Sequence, residues 1–256
     1  MELKDSVVVV TGSAAGLGKA MLQRMGQAGA KCIVSDVNAP AVASTLGELK
    51  NAGIECSSFV CNVTSESEVE QLCQFAVQQY GRLDVVVANA GILRDGLLIK
   101  TDRQTGAISG KMSLKDWQAV IDVNLTGVFL TVREAACQMI SQKQGGVIIP
   151  ISSISRHGFR GQSNYSASKA GVAAMVPLWA EELARYKIRV AGIAPGFIAT
   201  EMVLAQMNER AREAWEARIP IGRLGQPDEI AKSVEHIITN DLINGVILEV
   251  SGGVRV

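Results

Sequence analysis

Four consecutive valines, Val7 to Val10, run directly into Thr11-Gly12-Ser13-Ala14-Ala15-Gly16-Leu17-Gly18. Apolar residues at helical spacing follow (Ala20, Met21, Met25, Ala28) before Gly29. β-Branched residues favour a pleated strand, and the 3.6-residue spacing after the glycines favours a helix. The stretch therefore reads as strand, tight glycine turn, helix, the opening unit of an α/β chain. Glycines let the backbone of such a turn pass close to a pyrophosphate, while the helix start directs N–H groups at it. The spacing is Gly-x3-Gly-x-Gly, which departs from the Gly-x-Gly-x-x-Gly dinucleotide fingerprint, so the turn alone does not settle what is bound.

The alternation continues through the chain. A second strand, Lys31 to Ser35, ends at Asp36, where a carboxylate can accept hydrogen bonds from an adenosine ribose and repel a 2′-phosphate. With no cation supplied by Ala15 or Val37, this predicts NAD(H) in preference to NADP(H). A helix is expected from Ala41 to Asn51 and a strand from Ile54 to Val60, then Asn62, an acceptor suited to the adenine amino group. Ser65 and Glu68 have the spacing of a capping box. The apolar run Leu83 to Ala88 suits the centre of a parallel sheet and leads into Asn89-Ala90-Gly91 at its carboxyl end, where ligands of open α/β sheets bind. The segment around Thr101 to Gly110 can form a β-hairpin or a plain loop. A helix begins near Ser113, and Asn124 falls within or just before the long helix that reaches Gln142. The next strand, Gly146 to Ile151, contains Pro150, which lacks a ladder donor, and nothing in the sequence accounts for it. Pro177 is expected to bend the helix that follows. Ile188 to Ala194 is a strand closed by Pro195-Gly196, Thr200 to Arg218 is a helical candidate lid, and a helix from Pro227 precedes a last strand, Gly245 to Val250. Residues 1–256 read as one doubly wound parallel sheet of about seven strands with helices on both faces.

Tyr165 and Lys169 stand four residues apart on a predicted helix and so share one face. An ammonium beside a phenol favours the phenolate, which brings the phenol toward the range useful in acid/base chemistry. Ser152, thirteen residues earlier, can offer a hydroxyl to a carbonyl or alcohol oxygen. His157 lies close by, but no Gly-x-Ser-x-Gly elbow surrounds Ser152, so a Ser-His hydrolase is disfavoured. His236 and the three tryptophans, Trp117, Trp179 and Trp215, read as packing, surface or interface residues.

Composition narrows the class. With 25 basic and 25 acidic residues the chain carries no field suited to nucleic acid or a membrane surface. The N-terminal apolar run is too short for a signal or a span, which predicts a soluble cytoplasmic protein. Five cysteines without a Cys-x-x-Cys pair, together with two histidines, provide no metal constellation and read as buried or idle thiols.

Taken together, Thr11-Gly12-x3-Gly16-x-Gly18, Asn89-Ala90-Gly91, Asn124, Ser152, Tyr165-x3-Lys169 and Pro195-Gly196 resemble, in order and spacing, the short-chain dehydrogenase/reductase family. The similarity spans essentially the whole chain. Within the family the chain is most similar to bacterial β-ketoacyl carrier-protein reductases, notably over Pro195-Gly-Phe-Ile-Ala-Thr-Glu-Met202. The resemblance implies Asn124, Ser152, Tyr165 and Lys169 as catalytic residues, with Tyr165 the acid/base, Ser152 holding the substrate oxygen and Asn124 anchoring a water on the proton path. It implies a dinucleotide held by Gly12, Ser13, Gly16, Leu17 and Gly18 at the pyrophosphate, by Asp36 and Val37 at the adenosine ribose, and by Asn62 and Val63 at the adenine. Asn89, Ala90, Gly91, Tyr165 and Lys169 would meet the nucleoside and ribose, and Pro195, Gly196, Ile198 and Thr200 the nicotinamide end. It also implies a 3-oxoacyl thioester or similar ketone as substrate, with a small or steroid-like secondary alcohol as the alternative, and a homotetramer. A dinucleotide sensor without turnover is the rival from another class, and it has no use for a proton relay.

Overall fold

The structure is a computed structural model and describes residues 1–206 and 209–255, apart from the side chains of Met202, Ala205, Gln206, Arg210 and Ala211. β1 (Val7–Thr11) leads to α1 (Gly16–Gln27), β2 (Lys31–Asp36), α2 (Ala39–Asn51), β3 (Cys56–Val60), α3 (Glu66–Tyr80) and β4 (Val85–Ala88). Next comes an antiparallel hairpin, β5 (Ile99–Thr101) and β6 (Ile108–Lys111), which resolves the Thr101–Gly110 segment in favour of a hairpin. α4 (Leu114–Ile121) passes through one widened turn, Asp122–Thr126, into α5 (Gly127–Gln142). β7 (Gly146–Pro150), α6 (Ser163–Leu183), β8 (Ile188–Val190) and β9 (Gly192–Pro195) follow. α7 (Glu201–Gln206) and α8 (Glu209–Glu216) occupy the expected lid, whose residues 207 and 208 lie outside the described residues. α9 (Pro227–Thr239) and β10 (Ile247–Val250) complete the chain.

The strands pair in parallel in the order β3-β2-β1-β4-β7-β8, with β10 beside β9. Helices cover both faces, which explains why β1 carries valine at its first four positions. Val8 and Val10 pack with Met21, Leu22 and Met25 of α1, while Val7 and Val9 pack with Val69 and Leu72 of α3 and Val128 of α5. A strand buried on both sides reads as a continuous apolar run because neither of its alternating faces meets water. β1 has β2 on one side and β4 on the other, so the chain order reverses there and opens a crevice at the carboxyl ends of β1 and β4.

Pro150 now has an explanation. The ladder between β7 and the neighbouring strand runs from Gly146 N–H to the Lys187 carbonyl and resumes from Ser152 N–H to the Ile193 carbonyl. The same offset would send a donor at position 150 to Ala191, and proline has none to give. The missing bond coincides with the interruption at Ala191 that divides β8 from β9. Ile151 nevertheless bridges to Ile193, so β8 and β9 act as one sixth strand and β10 as the seventh. α6 runs on through Pro177 to Leu183. The expected capping box at Ser65 does not form. Glu68 instead accepts from the Asn62 N–H at 2.8 Å, and the Ser65 hydroxyl meets Ser67. Four cysteines are buried and Cys137 is exposed, and burial pushes the Cys32 and Cys61 thiols up to about 12.

At the opposite end of the sheet, Asp84 anchors the start of β1. Its buried carboxylate accepts from Val7 N–H at 2.8 Å and from Arg82 through two bonds of 2.7 and 2.6 Å. Removing it orphans a buried donor, so Asp84→Ala is expected to lower the unfolding free energy by about 1–3 kcal/mol. Asp84→Asn keeps an acceptor for Val7 and should lose less. Urea unfolding of the two variants tests this, and an alanine variant as stable as the parent would show that the anchor contributes nothing.

Candidate active site

The glycine turn is shaped by the strands that meet there. Gly12 has φ +64° and lies so near β4 that a Cβ on it would stand 2.7 Å from Ala90 Cα. A Cβ on Gly18 would stand 2.5 Å from the Gly12 carbonyl oxygen and 2.7 Å from Ser13 Cα. Thr11 and Asn89 hold this approach. The Thr11 hydroxyl accepts from the N–H groups of Asn89 and Ala90 at 3.1 and 3.2 Å, and Asn89 Nδ2 donates to the carbonyls of Thr11 and Gly12 at 2.9 and 3.0 Å. Asn89 thus braces the turn with its side chain. Ala15, the residue before α1, supplies no side-chain cap, so the first-turn N–H groups of α1 have no side-chain acceptor. A glycine-lined approach to an uncapped helix start fits a pyrophosphate. Ser13 was expected among the cofactor contacts, but its hydroxyl is buried and turned to the sheet, accepting from Ser35 N–H at 2.9 Å. Leu17 packs on the core beneath the turn.

On the adenosine side, Asp36 ends β2 and accepts from Asn38 N–H through one oxygen at 3.1 Å. Val37 is largely exposed beside it. Asn62 is engaged differently from the expectation. Its Oδ1 accepts from both Thr64 N–H at 3.1 Å and the Thr64 hydroxyl at 2.9 Å, so the acceptor reserved for adenine already holds a local turn. Val63 is buried against Gly127, where a Cβ would stand 2.8 Å from its Cγ2.

Tyr165 and Lys169 lie together on α6, with the ammonium 5.6 Å from the centre of the phenol ring. Lys169 Nζ donates to the Ile151 carbonyl at 2.8 Å. Burial lowers Lys169 to about 8. Burial also pushes Tyr165 up to about 12, with the Ser153 hydroxyl acting to lower it and the charge of Asp95 to raise it. The expectation that Lys169 makes this phenol acidic is therefore reversed in direction: withdrawal of both groups from water favours their neutral forms.

The serine expectation also changes. Ser152 donates its hydroxyl proton to the Lys169 carbonyl at 2.8 Å, facing α6 away from the phenol. Ser153 is the hydroxyl beside Tyr165, and its Oγ accepts from Ser155 N–H at 3.1 Å, which leaves its own proton to donate. Successive side chains at the end of a strand point to opposite sides, so the neighbour of the expected serine occupies the site. Asn124 is fully buried in the widened turn, where the Gly127 N–H reaches back five residues to the Asp122 carbonyl. Its side chain is spent on Ile92, accepting from the N–H at 2.8 Å and donating to the carbonyl at 2.9 Å. Asn164 was not singled out from the sequence. It is fully buried, donates to the carbonyls of Arg94 and Asp116 at 3.0 and 3.2 Å, and accepts from Tyr165 N–H at 2.8 Å. It fixes the first turn of α6 between the β4 loop and α4; an Asx residue directly before the tyrosine was the available signal.

Thr200 reaches the glycine turn, its methyl 3.8 Å from where a Gly16 Cβ would stand. Gly196, directly after Pro195, is packed against Ser251, and Ile198 is buried and bridges Gly225. Trp215 of α8 stacks on Phe197 at 4.1 Å and lies 5.8 Å from Phe159, between ring centres. Phe159 N–H donates to the Ser166 hydroxyl, which places this aromatic group beside the first turn of α6, next to Tyr165. His157 is exposed and accepts from Arg156, away from either serine.

The short chain dehydrogenase family model matches residues 6–211, most of the chain. The chain belongs to the short-chain dehydrogenase family. It is 38% identical over 255 residues to a 3-oxoacyl-[acyl-carrier-protein] reductase of Thermotoga maritima, covering 99% of both proteins. It is 33% identical to the BbsD subunit of (2S)-[(R)-hydroxy(phenyl)methyl]succinyl-CoA dehydrogenase of Thauera aromatica, covering 99% of this chain and 98% of that one. Among solved structures, a 7α-hydroxysteroid dehydrogenase complexed with NADH and 7-oxo glycochenodeoxycholic acid superposes with a TM-score of 0.89 at 30% identity, over 99% of this chain and 96% of that one. The short-chain dehydrogenase fold thus brings the glycine turn and Ser153 to the carboxyl ends of the inner strands β1 and β7, with the Tyr165–Lys169 pair of α6 beside Ser153.

Two outcomes follow for this family member. Ser153→Ala should lower kcat about 10²-fold or more, as expected for loss of a donor to a reacting oxygen. Ser152→Ala should alter stability more than turnover, and the reverse ranking would restore Ser152 to the site. Lys169 makes stability depend on pH. An unfolded lysine holds its proton up to its ordinary value of 10.5, whereas the folded one releases it near 8, so the unfolded chain binds more protons between them and stability rises with pH across that window. The cost of burying the ammonium, about 3 kcal/mol, is fully present below pH 8. Thermal unfolding of Lys169→Met against the parent should show the parent's deficit shrinking from pH 8 to 10.5, and a constant difference would refute it.

Proposed function

We propose that this oxidoreductase reduces a 3-oxoacyl thioester, or a similar ketone, with NADH. The observation that carries the reading is the meeting of Tyr165 and the free Ser153 hydroxyl above Lys169, beside a glycine turn suited to a pyrophosphate. Gly12, Gly16 and Gly18 would hold the pyrophosphate, Asp36 the adenosine ribose, and Lys169 with Thr200 the nicotinamide end. The bound nicotinamide supplies the hydride to the carbonyl carbon. Ser153 donates a hydrogen bond to the substrate oxygen and orients it. Tyr165 delivers a proton to that oxygen as negative charge gathers there. A phenol near 12 is fully protonated at neutral pH, which suits an acid in the reductive direction. Lys169, near 8, is still charged at pH 7 and stabilises the phenolate once formed. A water held at the widened turn of Asn124 would carry a replacement proton inward.

The thioester is favoured by the full-length likeness to carrier-protein reductases, and NADH by Asp36 together with the absence of a cation at Ala15 or Val37. A second substrate class has an observation of its own: the mutually tilted Phe159, Phe197 and Trp215 rings form an aromatic cluster suited to contact with a steroid-like or aryl ketone. The exposed Phe129 of α5 and Leu178 of α6 support subunit contacts through these helices, in keeping with a homotetramer.

The test is cofactor oxidation at 340 nm with 3-oxoacyl thioesters and steroid ketones, using NADH and NADPH in parallel. NADH with the thioester should give the highest kcat/KM. Tyr165→Phe should lose at least 10²-fold in kcat while still binding NADH, in line with removal of a general acid. Preference for NADPH would overturn the cofactor assignment, and near-normal turnover by the phenylalanine variant would overturn the role of Tyr165.

A further inference from the structure

The hairpin β5–β6 displays apolar side chains that no described part of the chain covers. Leu98, Ile99 and Ile108 are 66%, 49% and 73% exposed, and Leu114, at the start of α4, is 77% exposed. Cross-strand pairing places Ile99 opposite Lys111 and Thr101 opposite Ile108, so both isoleucines and Lys111 share one face. A two-stranded hairpin with both faces in water is marginally stable alone, and a ridge of aliphatic side chains on it marks an interaction surface.

Charge narrows the partner. Between residues 94 and 116 the chain carries five cations, Arg94, Lys100, Arg103, Lys111 and Lys115, against three carboxylates, although the whole chain is neutral. None of the five forms an ion pair with a described residue. The carboxylates are engaged locally. Asp102 accepts from Gln104 N–H and from the N–H and hydroxyl of Thr105 in the hairpin turn, Asp95 accepts from Gln162 at 2.9 Å, and Asp116 accepts from Ser113. The exposed surface is thus aliphatic and cationic, which fits an acidic protein with an apolar strip better than a free anion with no apolar body.

Position supplies the purpose. The base of the hairpin is tied to the first turn of the catalytic helix: Gly96 N–H donates to the Gly161 carbonyl at 2.8 Å, Asp95 receives Gln162, and Arg94 receives Asn164, the residue before Tyr165. We propose that the β5–β6 hairpin is a docking surface for a small acidic carrier protein bearing the acyl thioester, seated so that its cargo enters beside Tyr165. This rests on the thioester reading above and adds to it where the carrier binds.

The experiment compares one 3-oxoacyl group on an acyl carrier protein and on N-acetylcysteamine, with the parent, Lys100→Glu/Arg103→Glu/Lys111→Glu, and Ile108→Ser. These side chains are exposed, so the fold should tolerate the changes. KM for the carrier-borne substrate should rise tenfold or more in the charge variant and severalfold in Ile108→Ser, with kcat and the N-acetylcysteamine reaction unchanged. Added salt should weaken the parent toward the charge variant. Equal losses on both substrates, or none on either, overturn the proposal, and so does a change in assembly size by light scattering, which would make the hairpin a contact between copies. If the parent reduces neither thioester, the proposed function fails. Docking is then judged by calorimetric binding of the carrier protein: tenfold weaker binding by the charge variant supports it, and equal binding overturns it.

Discussion

Thr11 and Asn89 tie together the carboxyl ends of β1 and β4, and the rest of the site is arranged around that junction. The Thr11 hydroxyl receives two N–H groups from the start of the β4 loop, while the Asn89 amide returns two hydrogen bonds to the carbonyls of Thr11 and Gly12. The junction draws the two loops so close that position 12 has no room for a side chain, and position 18 has none either. The glycines are thus required by the protein's own packing as well as by any phosphate they meet. The same closeness turns the first turn of α1 toward the crevice where the strand order reverses, so binding geometry is a by-product of strand packing.

The electrostatics of the Tyr165–Lys169 pair follow from burial more than from pairing. Tyr165 and Lys169 are adjacent, yet each shifts toward its neutral form, because removing either charge from water costs more than a neighbour 5.6 Å from the ring returns. Lys169 satisfies one N–H on the Ile151 carbonyl, and Ser153 is the nearby group that acts against the rise at Tyr165. The result is a protonated acid above a lysine poised near neutrality. In the proposed reaction such a pair would hold a proton in place until charge develops on a substrate oxygen, and the ammonium would gain most when the phenolate appears.

How far the sequence could be read depended on whether backbone periodicity or a single side-chain direction decided the outcome. The β-branched runs, the glycine turn and the Tyr165–Lys169 spacing are periodic signals, and each falls where expected on the sheet or on α6. The choice between Ser152 and Ser153 is a matter of one residue of register at the end of β7, and a slip of one exchanges the inward and outward sides. Spacing to Tyr165 favoured Ser152, yet the strand delivers Ser153. Asn62 was legible as an acceptor but its engagement by Thr64, two residues on, was not, since turn residues compete for their own side chains. The widened turn at Asn124 left no mark in the helical pattern on either side of it. Pro150 could not be explained until its missing donor met the break at Ala191 across the sheet, a contact forty-one positions away that no local window contains.

The two halves of the site are built in different ways, and this sets what each can recognise. The proposed cofactor half consists of strand ends, glycines and the Thr11–Asn89 junction, where nearly every group is fixed by the core. It presents the same shape whatever the substrate. The proposed substrate half is assembled from the Phe159 turn, the segment after β9, α8 and the hairpin, which meet through aromatic stacking and a few main-chain bonds. These elements lie outside the parallel sheet, so their sequence can change at little cost to the core. On the proposed function, the reaction is set by the rigid half, whereas the choice among carrier-borne, free or polycyclic ketones falls to parts whose contacts with the core are few.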